Sequence, residues 1–326
     1  MKVIVTGGLG FLGTGLARRL LELGELTAGD GGISPIDSLV LADASLPEGR
    51  ADWMDDRVEL VACDVTDRDL VCRLVDRDDV SLFHLASIVS AQAERDLDLA
   101  LRVNIDGGRN VLDAVRARKG RQRVVVTSTY ATFGGRLPEV CGDGTKLLPQ
   151  SSYGVTKAVL ELLVNDNSRR GHIDGRVARL PTVIIRPGAA NAAASSVASA
   201  VFREPLAGRP YEVPVTPDTR MAVSGVRTVI EGLIALHEGD GVQLGVDRAV
   251  SFPSLSCSIR EMIDALNRVC GDRALGPIGW RPDPAIQAMV SSWPHLVEAR
   301  RAAELGVPPC DDLDTIVRDA AAELGR

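Results

Sequence analysis

Aromatic residues are scarce, at 3% of the 326 residues. The core is therefore expected to be aliphatic, made of Val, Leu, Ile and Ala. Histidine is rarer still: His84, His172, His237 and His295 are scattered. The six cysteines, Cys63, Cys72, Cys141, Cys257, Cys270 and Cys310, form no C-x-x-C pair. No His stands at zinc-finger spacing from any of them, so no metal site is expected and idle thiols in a cytoplasmic chain are. No run approaches the ~18 consecutive apolar residues of a membrane span. The opening MKVIVTGG is too short for a signal peptide and reads as a buried strand. Excess positive charge is also missing. Lys plus Arg is 37 against 44 Asp plus Glu, a net charge of −7, which excludes a nucleic-acid backbone as an expected partner. There are no internal repeats.

What is present is ordinary for a globular chain: 45% hydrophobic and 25% charged residues. The length suits one large domain or two small ones. The first half alternates β-branched runs with helical patterns. Strands are predicted at Val3–Val5, Ser38–Ala42, Val58–Ala62, Ser81–Ala86 and Arg123–Thr127, with a sixth inside Arg176–Ile185. Helices are predicted at Phe11–Leu23, Asp67–Asp76, Asp98–Arg118 and Tyr153–Ser168. Strands that are apolar throughout suit a parallel sheet covered on both faces. The fold class is thus α/β, a Rossmann-type doubly wound sheet over residues 1–188 to which later segments can return. Residues 189–224 are rich in Ala, Ser and Pro, and 189–326 reads mainly as a smaller substrate-binding cap. Helices are expected there at Arg227–His237, Ser258–Val269 and Leu313–Leu324.

Directly after the first strand stands Gly7-Gly8-Leu9-Gly10-Phe11-Leu12-Gly13, a G-x-x-G-x-x-G that opens the first amphipathic helix. Gly7 permits the tight turn, Gly10 lets the backbone approach a pyrophosphate, and Gly13 allows close helix–strand packing. The helix N-terminus offers unbonded N–H groups to the phosphates. Asp43 ends the second strand, where an acid bonds the adenosine ribose and favours NAD over NADP. It lies 30 residues beyond Gly13, against about 20 in the usual pattern. Gly29–Pro35 reads as a surface-loop insertion that accounts for the excess. Asp64-Val65 follows the third strand, within reach of the adenine. His84-Leu85-Ala86-Ser87 ends the fourth strand at the lip of the site, and His84 is assigned no chemistry.

Tyr153-Gly-Val-Thr-Lys157 is a Y-x-x-x-K pair, and residues i and i+4 share one helix face. A nearby ammonium favours the phenolate, making a proton acceptor of a Tyr whose free pKa is about 10. Upstream, Val126-Thr127-Ser128-Thr129 brings hydroxyls to the carboxyl edge of the sheet. In this order the motifs resemble the short-chain dehydrogenase/reductase superfamily, in its extended branch of NAD-dependent epimerases and dehydratases. The resemblance runs through TGGLGFLG, LAD, DVTD, HLAS, VVVTSTYATFG, YGVTK and RLPTVIIRPG. It implies NAD as cofactor and a catalytic set of Thr129, Tyr153 and Lys157, with Ser128 as the alternative hydroxyl. It places the cofactor on Gly7, Gly10, Phe11, Leu12 and Gly13, then on Asp43, Asp64, Val65, Ala86 and Ser87. Farther along, Asn104, Thr127, Tyr153, Lys157 and Pro181 complete that side. Asn104 is expected to relay protons through a water near Lys157.

The substrate side is read from Arg186, Asn191, Ser195 and Ser196, just after the sixth strand, and from Arg220. An Arg matches a carboxylate bidentately, and Asn191 and Ser195 or Ser196 suit sugar-acid hydroxyls, joined by Ser87, Thr129 and Tyr153. Arg186 serves equally as a structural ion pair, and Ser195-Ser196 as a helix cap. No aromatic platform for a nucleotide base is evident in the cap. With Pro282-Asp-Pro-Ala-Ile and Trp293-Pro294, these stretches resemble the D-erythronate dehydrogenase family. That resemblance implies NAD-dependent oxidation of the C2 hydroxyl of D-erythronate to 2-oxo-D-erythronate in C4 sugar-acid catabolism. The rival readings are a nucleotide-sugar epimerase or dehydratase that retains its NAD, and a non-catalytic NAD-binding sensor. A homodimer through the helices at Asp98–Arg118 and Tyr153–Ser168 follows the superfamily habit.

Overall fold

The computed structural model describes residues 1–186 and 194–324. Seven strands form one parallel sheet. They are β1 (Lys2–Thr6), β2 (Ser38–Asp43), β3 (Val58–Ala62), β4 (Val80–His84), β5 (Arg123–Thr129), β6 (Asp174–Leu180) and β7 (Ala249–Ser251). Their order is β3-β2-β1-β4-β5-β6-β7, the doubly wound arrangement, which reverses direction beside β1. Alternate residues of β1 serve opposite faces. Val3 and Val5 pack with Leu16 and Leu20 of α1 (Phe11–Leu23), while Ile4 packs with Val71 of α2 (Arg68–Leu74) and Val111 of α3 (Gly108–Arg116). Leu160 and Val164 of α4 (Ser152–Arg169) complete the second face, and Val229 and Leu233 of α5 (Val226–Glu238) the first. Both β7 and α5 come from the second half of the chain and return to the sheet.

Three segments differ from the sequence expectation. The helix expected over Asp98–Arg118 is α-helical at Leu97–Ala100, π-helical at Leu101–Gly107 and α-helical again in α3. The apolar repeat survives that extra residue, which is why periodicity alone reads one helix. The sixth strand is divided. Pro181 cannot donate to a ladder, and the chain leaves the main sheet there; Thr182–Ile184 joins a separate three-stranded sheet with Arg220–Gly225 and Leu255–Ser258. Gly29–Pro35 is no plain loop, since Ile33–Pro35 pairs with Glu25–Thr27 as a hairpin.

The small sheet and the helices Val197–Leu206, Ile259–Cys270 and Leu313–Leu324 share their own apolar core, which includes Val201, Phe202, Met262, Leu266 and Val317. This layer faces the carboxyl ends of β1 and β4 to β6 across a cleft.

Candidate active site

The cleft measures about 640 Å³ and runs from Asp43 to Arg220. Its floor is the glycine turn. Gly7 has φ +68°, and a Cβ there would lie 2.7 Å from the Ala86 nitrogen. At Gly13 a Cβ would lie 2.3 Å from the Gly7 carbonyl oxygen, so α1 can start against the turn only with glycine there. Gly10, the N-cap of α1, supplies no side-chain cap bond. Together with Phe11, Leu12 and Gly13 it borders the cleft. A helix end with no side chain over it is a place for an anion. Asp43 is oriented by two backbone donors, Leu9 N at 3.2 Å and Ala44 N at 2.9 Å, which leaves carboxylate lone pairs for ribose hydroxyls. Asp64, Val65 and Ala86 line the same end, and Asp64 Oδ1 accepts from Thr66 N at 2.9 Å. These residues fit a dinucleotide: pyrophosphate on the helix end, ribose on Asp43, and the nicotinamide end toward Tyr153.

At the other end, the pleat of β5 separates the two hydroxyls that the sequence leaves open. Ser128 pairs in register with Arg179 of β6, and its hydroxyl donates to the buried carboxylate of Glu161. Thr129 takes the opposite side and borders the cleft with Tyr153; its Oγ1 accepts from Ala131 N at 3.2 Å. Lys157 is buried beneath them. Its Nζ donates to the Thr127 carbonyl at 3.0 Å and lies 5.9 Å from the centre of the Tyr153 ring. Enclosure by protein pushes the Tyr153 phenol up to about 12, against the opposing pull of Arg186 and of the Thr129 hydroxyl. Arg186 thus adds a second cation to the Lys157 ammonium on the side of the phenol. Burial draws Lys157 down to about 8, and Glu161 opposes that fall.

Asn104 gives no side-chain atom to the cleft. From the π-helical turn its Oδ1 accepts from Ser87 Oγ at 3.0 Å and Ile88 N at 2.8 Å. Its Nδ2 donates to the Ile88 carbonyl and to Thr156 Oγ1, both at 3.0 Å. With donors and acceptor engaged, the buried amide braces the 87–88 loop against α4. His84 is buried, 2.7 Å from Thr6 Oγ1 through Nδ1. Burial and the charge of Lys157 push it down to about 3, so it is a neutral packing residue.

Ser87, Thr127 and Pro181 border the cleft, as do Arg186, Ser195 and Arg220 on the substrate side. Ser196 holds the N-cap position of Val197–Leu206. Asn191 lies outside the described residues. Arg220 is engaged elsewhere: it donates to the Ser256 carbonyl at 2.6 Å and pairs with Glu261 at 3.2 Å. The residues that sequence reasoning missed come from both layers: Ile88, Leu99, Val103 and Tyr130 from the first domain, and others from the cap. Met221, Val290, Trp293 and Pro294 form an apolar wall that brings an indole ring from the cap to the cleft. The Trp293-Pro294 pair was visible as a motif, but nothing local to it indicates where it docks.

The sequence profile described as the NAD dependent epimerase/dehydratase family matches residues 3–239. Two curated relatives span the chain. One, from Cupriavidus necator, is named D-erythronate dehydrogenase; it is 43% identical and the match covers 100% of this chain and 99% of that protein. Another of the same name, from Haemophilus influenzae, is 36% identical over 98% of each chain. Among solved structures, a protein described as the nucleoside-diphosphate-sugar epimerase from Agrobacterium tumefaciens superposes with TM-score 0.91 and 37% identity, covering 100% of this chain and 95% of that one.

Proposed function

The chain belongs to the NAD-dependent epimerase/dehydratase family, and from that premise we propose that it oxidises the C2 hydroxyl of D-erythronate to 2-oxo-D-erythronate. The observation that carries this reading is the placement of Arg186. Arg186 and Tyr153 border the same cleft, so a carboxylate held by the one is within reach of the proton acceptor at the other. A 2-hydroxy acid has that geometry, with the carboxylate one bond from the reacting carbon. Both relatives named above carry the dehydrogenase name at 36% identity or more.

In the reaction, Tyr153 accepts the C2 hydroxyl proton. The C2–H bond breaks and a C=O bond forms. NAD, when bound, supplies the acceptor for the hydride. Thr129 orients the hydroxyl. Lys157 holds the nicotinamide ribose and balances negative charge on Tyr153. Arg186 clamps the carboxylate through its planar fork. Ser195, Ser196 and Asn191 serve the outer hydroxyls, and Arg220, already paired, closes the rim. In this reading residues 1–188, with β7 and α5, hold the cofactor, and the rest is mainly cap. The enzyme is cytoplasmic, in keeping with six free thiols, and serves C4 sugar-acid catabolism. A homodimer is part of the same proposal. Leu97, Leu101, Val155 and Leu162 are exposed on the π-containing helix and on α4, the two helices that pairing would cover.

The rival is a nucleotide-sugar epimerase, favoured by the likeness to the Agrobacterium protein described as one and by Trp293 in the cleft. The test is to mix purified protein with NAD and D-erythronate and follow NADH by near-ultraviolet absorbance, with L-threonate and L-threonine as controls. NADH on D-erythronate alone supports the proposal. No NADH on any of the three, with NAD retained through purification, replaces it with the epimerase.

A further inference from the structure

Tyr153, Lys157 and Glu161 follow one another at four-residue intervals, so they descend one face of α4 from the cleft into the core. Glu161 is the unexpected member. Its side chain is 2% exposed, and a core carboxylate is costly unless it is paired and bonded. It is fully engaged: Arg179 reaches it through Nε at 3.1 Å and Nη2 at 2.8 Å, and Ser128 donates its hydroxyl. Arg179 is itself buried, with its guanidinium 5.5 Å from the centre of the Phe133 ring. Lys157 has no ion-pair partner within 4.0 Å among the described residues, so its ammonium depends on charge at longer range.

We propose that Glu161 is a positioning residue of the dehydrogenase site, holding Lys157 as a cation and tying the Ser128 hydroxyl to the side of β5 opposite the Thr129 hydroxyl. The inference rests on the roles given above to Lys157 and Thr129. Two features of the geometry carry it. Ser128 and Thr129 must point to opposite sides of the strand, so tying down the first sets the second. Glu161 is also the nearest carboxylate to Lys157 on the shared helix. The groups facing Lys157 are Tyr153 and Glu161 on α4, the neutral His84 from β4, the Thr127 carbonyl from β5 and, behind Glu161, Arg179 from β6. Glu161 alone among them is anionic, and it opposes the effect of burial on Lys157.

The chain has only four lysines, Lys2, Lys119, Lys146 and Lys157, so full-length protein labelled with 13C-lysine allows Lys157 to be titrated directly by NMR. In Glu161→Gln its midpoint should fall by about one pH unit, whereas Glu161→Asp should stay near the native value. Because the single change leaves Arg179 unpaired, Glu161→Gln/Arg179→Gln is measured beside it and should shift the same way. The alkaline limb of NADH formation should move down with the NMR midpoint. An unchanged Lys157 midpoint in the double variant overturns the inference. The NMR titration needs no substrate. Absent turnover of D-erythronate in the native chain sinks the functional reading alone, and an unmoved midpoint with normal turnover sinks this one alone.

Discussion

At the amino ends of the strands, Asp174 gathers three arginines. Arg248 bonds it, Arg176 Nη2 lies at 2.8 Å and Arg123 Nε at 4.0 Å. Those guanidinium groups also donate to the carbonyls of His237, Gly239 and Gly241, where α5 ends, the place where cations favour a helix. At the carboxyl ends of the same sheet the polar groups face outward. The helix end at Gly10, the carboxylate of Asp43, the phenol of Tyr153 and the guanidinium of Arg186 all border one cleft. Both ends are rich in charge, but the first is closed by protein groups and the second is not. Buried charge is therefore not in itself a sign of a site; charge that the fold leaves facing a void is.

Four substitutions put this contrast at risk. Tyr153→Phe should lower turnover roughly 10²–10⁴-fold and leave the melting temperature alone; near-normal NADH formation would remove Tyr153 as the proton acceptor. Asp174→Asn should do the reverse. It leaves three arginines with one counter-charge fewer and should cost roughly 3–5 kcal/mol of stability, read in a denaturant titration, while the protein that stays folded keeps its kcat. A clear loss of kcat in that folded fraction would show that the foot of the sheet is not merely structural. Arg186→Gln should raise KM for D-erythronate about 10- to 100-fold, the equivalent of a charge-assisted hydrogen bond. Arg220→Gln should raise it only a few-fold, and equal effects would mean that the carboxylate is shared.

The smallest effect concerns stability at the open end. Burial holds the folded-state pKa of Lys157 at about 8, below its ordinary 10.5. Below about 8 both folded and unfolded chains carry the proton, and the cost of the buried charge is fully present. Between about 8 and 10.5 the unfolded chain binds more protons, so stability rises with pH. Lys157→Met should therefore be inactive yet more stable at pH 7, by on the order of 1 kcal/mol. That advantage should fade as the pH climbs from about 8 to 10.5. A variant less stable than native at pH 7 would mean that the contact with the Thr127 carbonyl outweighs the burial of charge.

Much of the cofactor end was legible because it is made by backbone demands that only certain residues meet. Gly7 and Gly13 are needed for a turn and a close approach, and both needs leave a mark in the local sequence. The Tyr153–Lys157 pair was legible because a helix alone sets its spacing. The surroundings of the Ser128 hydroxyl were not. They are made by Glu161 and Arg179, which arrive from another helix and another strand. Nor could the sequence separate Arg186 from Arg220, since Ser256 and Glu261, the partners that occupy Arg220, lie far along the chain. Trp293 is the same case at greater range. The division of the sixth strand was written at Pro181, but the apolar residues on both sides hid it.

The π-helical turn at Leu101–Gly107 closes each backbone bond over one more residue than an α-helix does. The surplus has a use, since it turns Asn104 inward to brace the 87–88 loop. Removing one codon from this stretch would yield a regular α-helix and swing the flanking residues about 100° relative to each other. The brace would vanish with no change in the chemical character of any remaining residue. Within these seven residues, length is the inherited trait, and a gene could lose it in a single in-frame step.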